Sequence, residues 1–193
     1  MKKIVSVSLA GAAALALVAC SEAATEGGEG GETAEAGAAI TEADVDAARE
    51  AWGEGIVAIG AVSTEGGDVA EAATNHINTF YGYEDGMTVL FKPTLAAVDQ
   101  FRGTFDEALT YFIGAEGTED GGFAIKPWTA VRWENEGTII DEDGNTALAM
   151  GNYYFTDTDG NDTKVEYTFG YERNDAGDLV IVLHHSSLPF SAE

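Results

Sequence analysis

The fold is decided by residues 146–187, whose sequence is TALAMGNYYFTDTDGNDTKVEYTFGYERNDAGDLVIVLHHSS. Segments rich in β-branched and aromatic residues alternate here with the turn sequences Asp159-Gly160 and Asn174-Asp175-Ala176-Gly177. Turns of this kind join neighbouring antiparallel strands. The pattern predicts strands at 146–155, 164–172 and 179–187. A further strand at 123–135, joined through Asp143-Gly144, completes a predicted antiparallel meander.

The segment before the meander has helical periodicity. Thr41 is a predicted N-cap, followed by apolar residues at spacings of three and four from Val45 to Ile59. Asp68 opens a second predicted helix over 69–80, and a third is predicted over 95–112 after an extended run at 87–91. Helices followed by a curved antiparallel sheet predict an α+β domain, with the helices covering one face and a pocket between the layers.

The N-terminus has the features of a bacterial lipoprotein leader. Lys2 and Lys3 precede an apolar run that ends in Leu17-Val18-Ala19-Cys20, which resembles a lipobox. We therefore expect residues 1–20 to be a signal peptide and Cys20 to be lipidated. Because Ser21 is not the Asp that favours inner-membrane retention, an outer-membrane anchor facing the periplasm is expected. Residues 21–40 are predicted to be a flexible acidic tether, and 41–193 the domain.

Composition restricts the classes of partner and of chemistry. The chain has 34 Asp and Glu against 9 Lys and Arg, a net charge of -25 at pH 7. Nucleic acids and anionic membrane surfaces are therefore excluded as general partners, and membrane contact is expected only through the lipid. Cys20 is the single cysteine of the chain, so lipidation would leave neither a disulfide nor a cysteine nucleophile.

The last predicted strand ends in four polar residues, His184-His185-Ser186-Ser187. Alternation places His185 and Ser187 on one face and His184 and Ser186 on the other, so the adjacent histidines do not easily share a metal ion. A zinc site that adds His76 is accordingly disfavoured, and we expect no metal or other cofactor. The acidic runs around residues 141–145 and 157–162 resemble calcium loops but are better explained as hairpin turns. A strand end emerging into solvent is the alternative interpretation of the polar residues.

Six segments of the domain carry a family resemblance: Phe91-Lys92-Pro93-Thr94, Phe101-Arg102-Gly103-Thr104-Phe105, Tyr111-Phe112, Lys126-Pro127-Trp128, Tyr167-Thr168-Phe169-Gly170-Tyr171 and His184-His185-Ser186-Ser187-Leu188-Pro189. Together they resemble the iota-class carbonic anhydrases over essentially all of residues 41–193. The resemblance implies a cone-shaped α+β half barrel, similar to nuclear transport factor 2 and to the association domain of calcium/calmodulin-dependent kinase II. It also implies a homodimer and interconversion of carbon dioxide and bicarbonate without a metal.

Carried onto this chain, the bicarbonate-holding threonine, tyrosine and serine of that family are Thr94, Tyr111 and Ser187. His185 is then expected beside them as base or proton shuttle, and Arg102 as a neighbour that contacts substrate. The choice between the two serines stays open, because a slip of one residue exchanges the faces of the strand. Thr94 has an alternative role as N-cap of the third helix, Tyr111 as a core residue, and Arg102 as the partner of surface acids.

Two classes of function are compatible with these observations. The first is a lipid-anchored carbonic anhydrase, and the second is a ligand-binding or assembly module of the same fold without catalysis. A phosphoribosyl-AMP cyclohydrolase is disfavoured, because that chemistry resembles a cysteine-ligated metal enzyme. For the homodimer, Trp128, Trp133 and Tyr154 are the predicted cover of an apolar outer sheet face.

Overall fold

The computed structural model describes residues 38–191. The predicted signal peptide, the lipidation site at Cys20 and the predicted tether as far as residue 37 lie outside the described residues. Ile40 is buried in the core, and its N–H donates to the Gly144 carbonyl at 2.8 Å. The folded domain therefore includes residue 40, which the composition assigns to the tether.

The first two helices begin where their capping residues predict. Helix α1 spans Glu42–Glu65, with reciprocal hydrogen bonds between Thr41 and Asp44 at its N-terminus. Helix α2 spans Val69–Phe80, and the Asp68 carboxylate accepts from the Glu71 N–H at 2.9 Å. Both predictions are confirmed.

The third helix starts later than the predicted residue 95. Helix α3 spans Phe105–Ile113 and begins at a capping box between Thr104 and Glu107. The preceding segment is irregular, since the Glu119 carboxylate accepts from three of its backbone N–H groups, those of Ala97, Val98 and Asp99. A partner about twenty residues downstream thus replaces the local helical bonds, and Thr94 is not a helix cap.

The strands span Leu90–Lys92 (β1), Ala130–Ile140 (β2), Thr146–Thr156 (β3), Asp162–Arg173 (β4) and Leu179–Ser187 (β5). They form one open sheet in the order β1-β5-β4-β3-β2. Strands β2 to β5 form the predicted antiparallel meander, although β2 begins later than residue 123. Strand β1 pairs parallel to β5, so the sheet is mixed and not wholly antiparallel. The three predicted turns are confirmed, with Gly144, Gly160 and Gly177 at positive φ.

The core lies between the helices and the inner face of the sheet. Trp52 of α1 is fully buried at its centre, with ring centroids 5.7 Å from Phe169 on β4 and 5.6 Å from His184 on β5. Helix α1 packs against α2 and β2, and α2 packs against α3. None of the helices within residues 38–191 has both the length and the apolar character needed to cross a bilayer.

The outer face of the sheet carries an apolar row at one register. Leu90, Leu183, Leu148 and Ile139 lie across four strands in line, with Gly170 between the two central leucines. A Cβ at Gly170 would crowd both Leu183 and Leu148, so the glycine makes room for them. The predicted cover residues Trp128 and Trp133 instead pack against the core. Tyr154 lies against the exposed Arg132 guanidinium, 3.9 Å from its ring centre.

Candidate functional site

A pocket of about 190 Å³ opens between the segment after β1, helix α3 and the inner face of the sheet. Its apolar lining consists of Leu95, Phe123, Trp128, Phe155, Val165 and Leu188. Its polar lining consists of Thr94, Tyr111, Lys126, Tyr153, Thr163, His184 and Ser186. The cavity is large enough for a small molecule, and hydroxyl groups dominate its polar surface.

His184 and Ser186 are the residues of β5 that face this pocket. They are 2% and 3% exposed, whereas His185 is exposed and Ser187 half-buried on the opposite face. The Ser187 hydroxyl donates to the Glu166 carboxylate at 2.9 Å on that outer face. The prediction that His185 and Ser187 point inward toward Thr94 and Tyr111 is therefore wrong.

A bulge in β5 explains the error. Gly170 pairs with Leu183, but the next residue, Tyr171, pairs with Ile181, which leaves Val182 as an extra residue in β5. Each extra residue exchanges the faces of everything that follows it in a strand. The four consecutive apolar residues 180–183 give no alternation from which the position of the bulge can be read.

Thr94 and Tyr111 both line the pocket, as their predicted roles require. Thr94 follows the buried Pro93 at the end of β1, and the phenol oxygen of Tyr111 accepts from the Leu95 N–H at 3.4 Å. Burial raises the pKa of Tyr111 to about 12, so its hydroxyl is protonated at neutral pH and can donate. Tyr111 is thus both nearly buried and a pocket residue. Its binding role stays a prediction.

Tyr153 of β3 is a pocket residue that the sequence interpretation missed. Burial raises its pKa, against smaller opposing effects of the nearby Ser186 and Thr94 hydroxyls. Its hydroxyl is therefore protonated and lies among those of Ser186 and Thr94. Tyr153 and Phe155 are two residues apart and therefore share one face of β3. If the core-facing side of β3 were known from the sequence, this alternation would identify Tyr153 as an inward-facing residue.

Arg102 does not line the pocket. Its guanidinium forms a buried salt bridge with Asp120 at 2.6 Å and donates to the Asp99 and Phe101 carbonyls. It lies 5.9 Å from the centre of the Tyr111 ring. The prediction that Arg102 contacts substrate is corrected accordingly: Arg102 supports the segment that carries Thr94 and packs beside Tyr111.

His184 is joined to the helical layer by buried hydrogen bonds. Its Nδ1 lies 2.8 Å from the Tyr81 hydroxyl, which accepts from the Trp52 indole N–H at 3.1 Å. Its Nε2 lies 3.5 Å from the Ser186 hydroxyl, a long hydrogen bond. Burial lowers the pKa of His184 well below its usual value, so the ring is neutral at neutral pH.

The third histidine is separated from the pocket. His76 on α2 is buried against Phe80 and Phe112, with ring centroids at 4.7 and 5.5 Å, and is not a lining residue. Within residues 38–191 no group of three or more His, Cys, Asp or Glu side chains is arranged to hold a metal ion. In the turn at 157–161 the Asp157 carboxylate accepts from the Asp159 and Asn161 N–H groups. The Asp157 carboxylate thus stabilises the predicted hairpin turn.

Comparison with known proteins points to one family. A model of the family described as metal-independent carbonic anhydrase matches residues 43–188. A metal-independent carbonic anhydrase from Nostoc sp. (strain PCC 7120 / SAG 25.82 / UTEX 2576) is 44% identical over 157 residues, which is 79% of this chain and 75% of that protein.

Comparison with solved structures identifies the fold. The crystal structure of the iota-carbonic anhydrase from a cyanobacterium, complexed with bicarbonate, superposes with a TM-score of 0.76 at 40% identity. It covers 83% of this chain and 99% of that one. A putative calcium/calmodulin-dependent kinase II association domain from Xanthomonas campestris has a TM-score of 0.54 at 20% identity, over 81% and 96% of the two chains. The helices and open sheet thus form the predicted cone-shaped α+β fold.

Proposed function

Because this chain belongs to the metal-independent carbonic anhydrase family, we propose that its pocket interconverts carbon dioxide and bicarbonate, CO₂ + H₂O ⇌ HCO₃⁻ + H⁺. The bicarbonate complex of the similar cyanobacterial enzyme supports this choice of ligand. The small pocket of this chain, lined by both hydroxyl groups and apolar side chains, suits a reaction that joins an apolar gas to water.

The observation that carries the proposal is the cluster of hydroxyls from Thr94, Tyr111, Tyr153 and Ser186. Each comes from a different element or segment, and all line one cavity. Protonated hydroxyls in a pocket that excludes most water are effective donors to a developing negative charge. Hydration creates that charge, since the two oxygens of carbon dioxide share it once water has attacked the carbon.

The apolar and the polar lining residues have different roles in the reaction. The apolar residues hold carbon dioxide, and the hydroxyls orient the attacking water and donate to the nascent bicarbonate oxygens. The described lining residues include no carboxylate, and both nitrogens of His184 have partners. The proton lost by the attacking water therefore passes to solvent or buffer at the pocket mouth.

Stopped-flow measurement of carbon dioxide hydration by the purified protein tests the proposal. Ser186→Ala removes a donor to a partly charged group, so we expect kcat/KM to fall by about ten- to a hundredfold. Ser187→Ala is the matched control, because it makes the same change one residue away on the opposite face. Its rate should stay within about twofold of the parent.

Two results would contradict this assignment. Hydration no faster than in buffer alone would indicate a ligand-binding module without catalysis. Loss of activity in Ser187→Ala with retention in Ser186→Ala, at equal thermal stability, would mean that the outer face of β5 holds the site.

We also propose that the protein is a lipid-anchored homodimer at the outer membrane, facing the periplasm. The lipobox-like sequence ending in Cys20 supports the anchor, and the apolar row on the outer sheet face supports the dimer. Cys20→Ser should move the protein from the membrane to the soluble fraction of cells. Retention in the membrane fraction would count against the anchor.

A further inference from the structure

A chain of buried hydrogen bonds runs from the helical layer to the pocket. It passes from Trp52 on α1 to Tyr81 after α2, then to His184 and Ser186 on β5. Trp52 and Tyr81 are fully buried, and neither lines the pocket. Only the last two members of the chain can reach a bound molecule.

The direction of each bond follows from the donor inventory of these groups. An indole nitrogen can only donate, so the Tyr81 oxygen accepts from Trp52. The single Tyr81 proton then needs an acceptor. Within the described residues, the hydrogen-bonding partners of the Tyr81 hydroxyl are Trp52 and His184. Tyr81 therefore donates to Nδ1 of His184. The reverse arrangement, with Nδ1 protonated, would leave the Tyr81 proton buried without a partner, which costs free energy.

The tautomer of His184 follows from that direction. A neutral imidazole carries one proton, and with Nδ1 acting as acceptor the proton is on Nε2. Nε2–H then donates to the Ser186 oxygen, so Ser186 cannot donate its own proton to the histidine. The Ser186 side chain also lines the pocket, so its own proton is available to a molecule bound there.

We infer that Trp52 and Tyr81 are positioning residues that, through the His184 tautomer, fix the Ser186 hydroxyl as a donor into the pocket. The inference rests on the proposed function for the identity of the acceptor, which is an oxygen of the substrate or of nascent bicarbonate. The tautomer itself rests on the hydrogen bonds alone. Without Tyr81, Ser186 can turn toward Nε2 and the pocket loses a donor.

The tautomer is tested directly in the unmodified protein by ¹⁵N NMR of labelled histidine. Protonated and unprotonated ring nitrogens have well separated shifts, and the His184 signals are those lost in His184→Gln. We expect at pH 7 a protonated Nε2 and an unprotonated Nδ1. A protonated Nδ1, or a doubly protonated ring, would overturn the inference. This measurement requires no catalysis, so its outcome is separate from that of the proposed function.

The consequence for the pocket is tested by Tyr81→Phe. We expect kcat for hydration to fall by about tenfold or more, with KM within about twofold, because a donor to the transition state is lost. The His184 proton should at the same time leave Nε2 in part or completely. Tyr171→Phe is the matched control, since it removes an equally buried hydroxyl that has no partner within the described residues. Its rate and its His184 spectrum should match the parent.

The role of Trp52 is tested by combining variants. Trp52→Phe should lower kcat by a smaller factor, about two- to fivefold. In this variant Tyr81 can still donate to His184, but the indole N–H no longer orients the Tyr81 hydroxyl. Added to Tyr81→Phe it should change kcat no further. Unchanged kcat in Tyr81→Phe, or a lower kcat with the His184 proton still on Nε2, would overturn the inference. In the second case the loss would come from altered packing.

Discussion

Lys126 supplies a positive charge at the rim of a pocket in a strongly acidic protein. Its side chain is exposed and lines the opening, 5.8 Å from the Trp128 ring centre. The net charge of -25 repels bicarbonate, and a nearby ammonium opposes that repulsion. Lys126 thus attracts bicarbonate through its charge, whereas the pocket hydroxyls orient the substrate.

Replacing Lys126 by Gln should lower kcat/KM by about three- to fivefold, the effect of about 1 kcal/mol for an exposed charge near an anion. The fall should be equal for hydration and dehydration, because the overall equilibrium constant fixes their ratio. Bicarbonate should also inhibit hydration less strongly. Lys164→Gln, on the outer face of β4, makes the same change in net charge and is the control. Equal losses in the two variants at low salt would show that net charge, and not the position of Lys126, is responsible.

The interface between α1 and α2 contains a buried histidine without hydrogen-bond partners among the described residues. Both ring nitrogens of His76 are unpaired, and a Cβ at Gly55 of α1 would overlap its ring. Burial lowers the pKa of His76 to about 3 from its usual 6.5. The surrounding Trp52, Phe80 and Phe112 side chains carry no charge that could favour the protonated form.

This histidine should make the protein less stable as the pH falls below about 6.5. The unfolded chain then binds a proton that the folded chain does not, so its contribution falls by about 2 kcal/mol between pH 6.5 and 5. His76→Leu should abolish that part of the pH dependence, as measured by urea unfolding at several pH values. His185→Leu, at an exposed position, is the control. Parallel stability curves for the parent and His76→Leu would contradict the prediction.

The elements differ in how much of them could be predicted from sequence. Thr41 and Asp68 fix the starts of α1 and α2 by local hydrogen bonds, and local signals are visible in a sequence. The turn glycines likewise fix the hairpins, because positive φ is a property of single residues. The segment before α3 is shaped by Glu119, a distant partner, so a continuous helix was the wrong prediction there.

Only part of the candidate site could be predicted from the sequence. Thr94 and Tyr111 were identified by resemblance and do line the pocket. The correct histidine and serine of β5 were not, because the bulge at Val182 lies within a uniformly apolar run. Tyr81 and Trp52 could not be connected to Ser186 at all, since the hydrogen bond that links them to β5, between Tyr81 and His184, joins residues 103 positions apart along the chain.

At the scale of the whole molecule, the outer face of the sheet carries an exposed apolar surface that a second copy of the chain can cover. Ile139 is 70% exposed, Leu90 62% and Leu148 43%, and all lie in the row that crosses the sheet. A contiguous exposed apolar surface of this kind is typical of an interface. Two acidic chains repel each other, so association should strengthen as salt screens that repulsion.

Leu148→Lys tests this surface, because it places a charge at the centre of the row without entering the core. We expect the protein to be a dimer by sedimentation at micromolar concentration and the variant to be a monomer, with its thermal stability otherwise little changed. Val98→Lys is the control, since Val98 is 89% exposed but lies in the segment before α3 and is not part of the row. A dimer that survives Leu148→Lys but dissociates in Val98→Lys would move the interface to the pocket side. The loop that carries Thr94 would then lie beside the second chain, and pocket access would depend on the concentration of the protein.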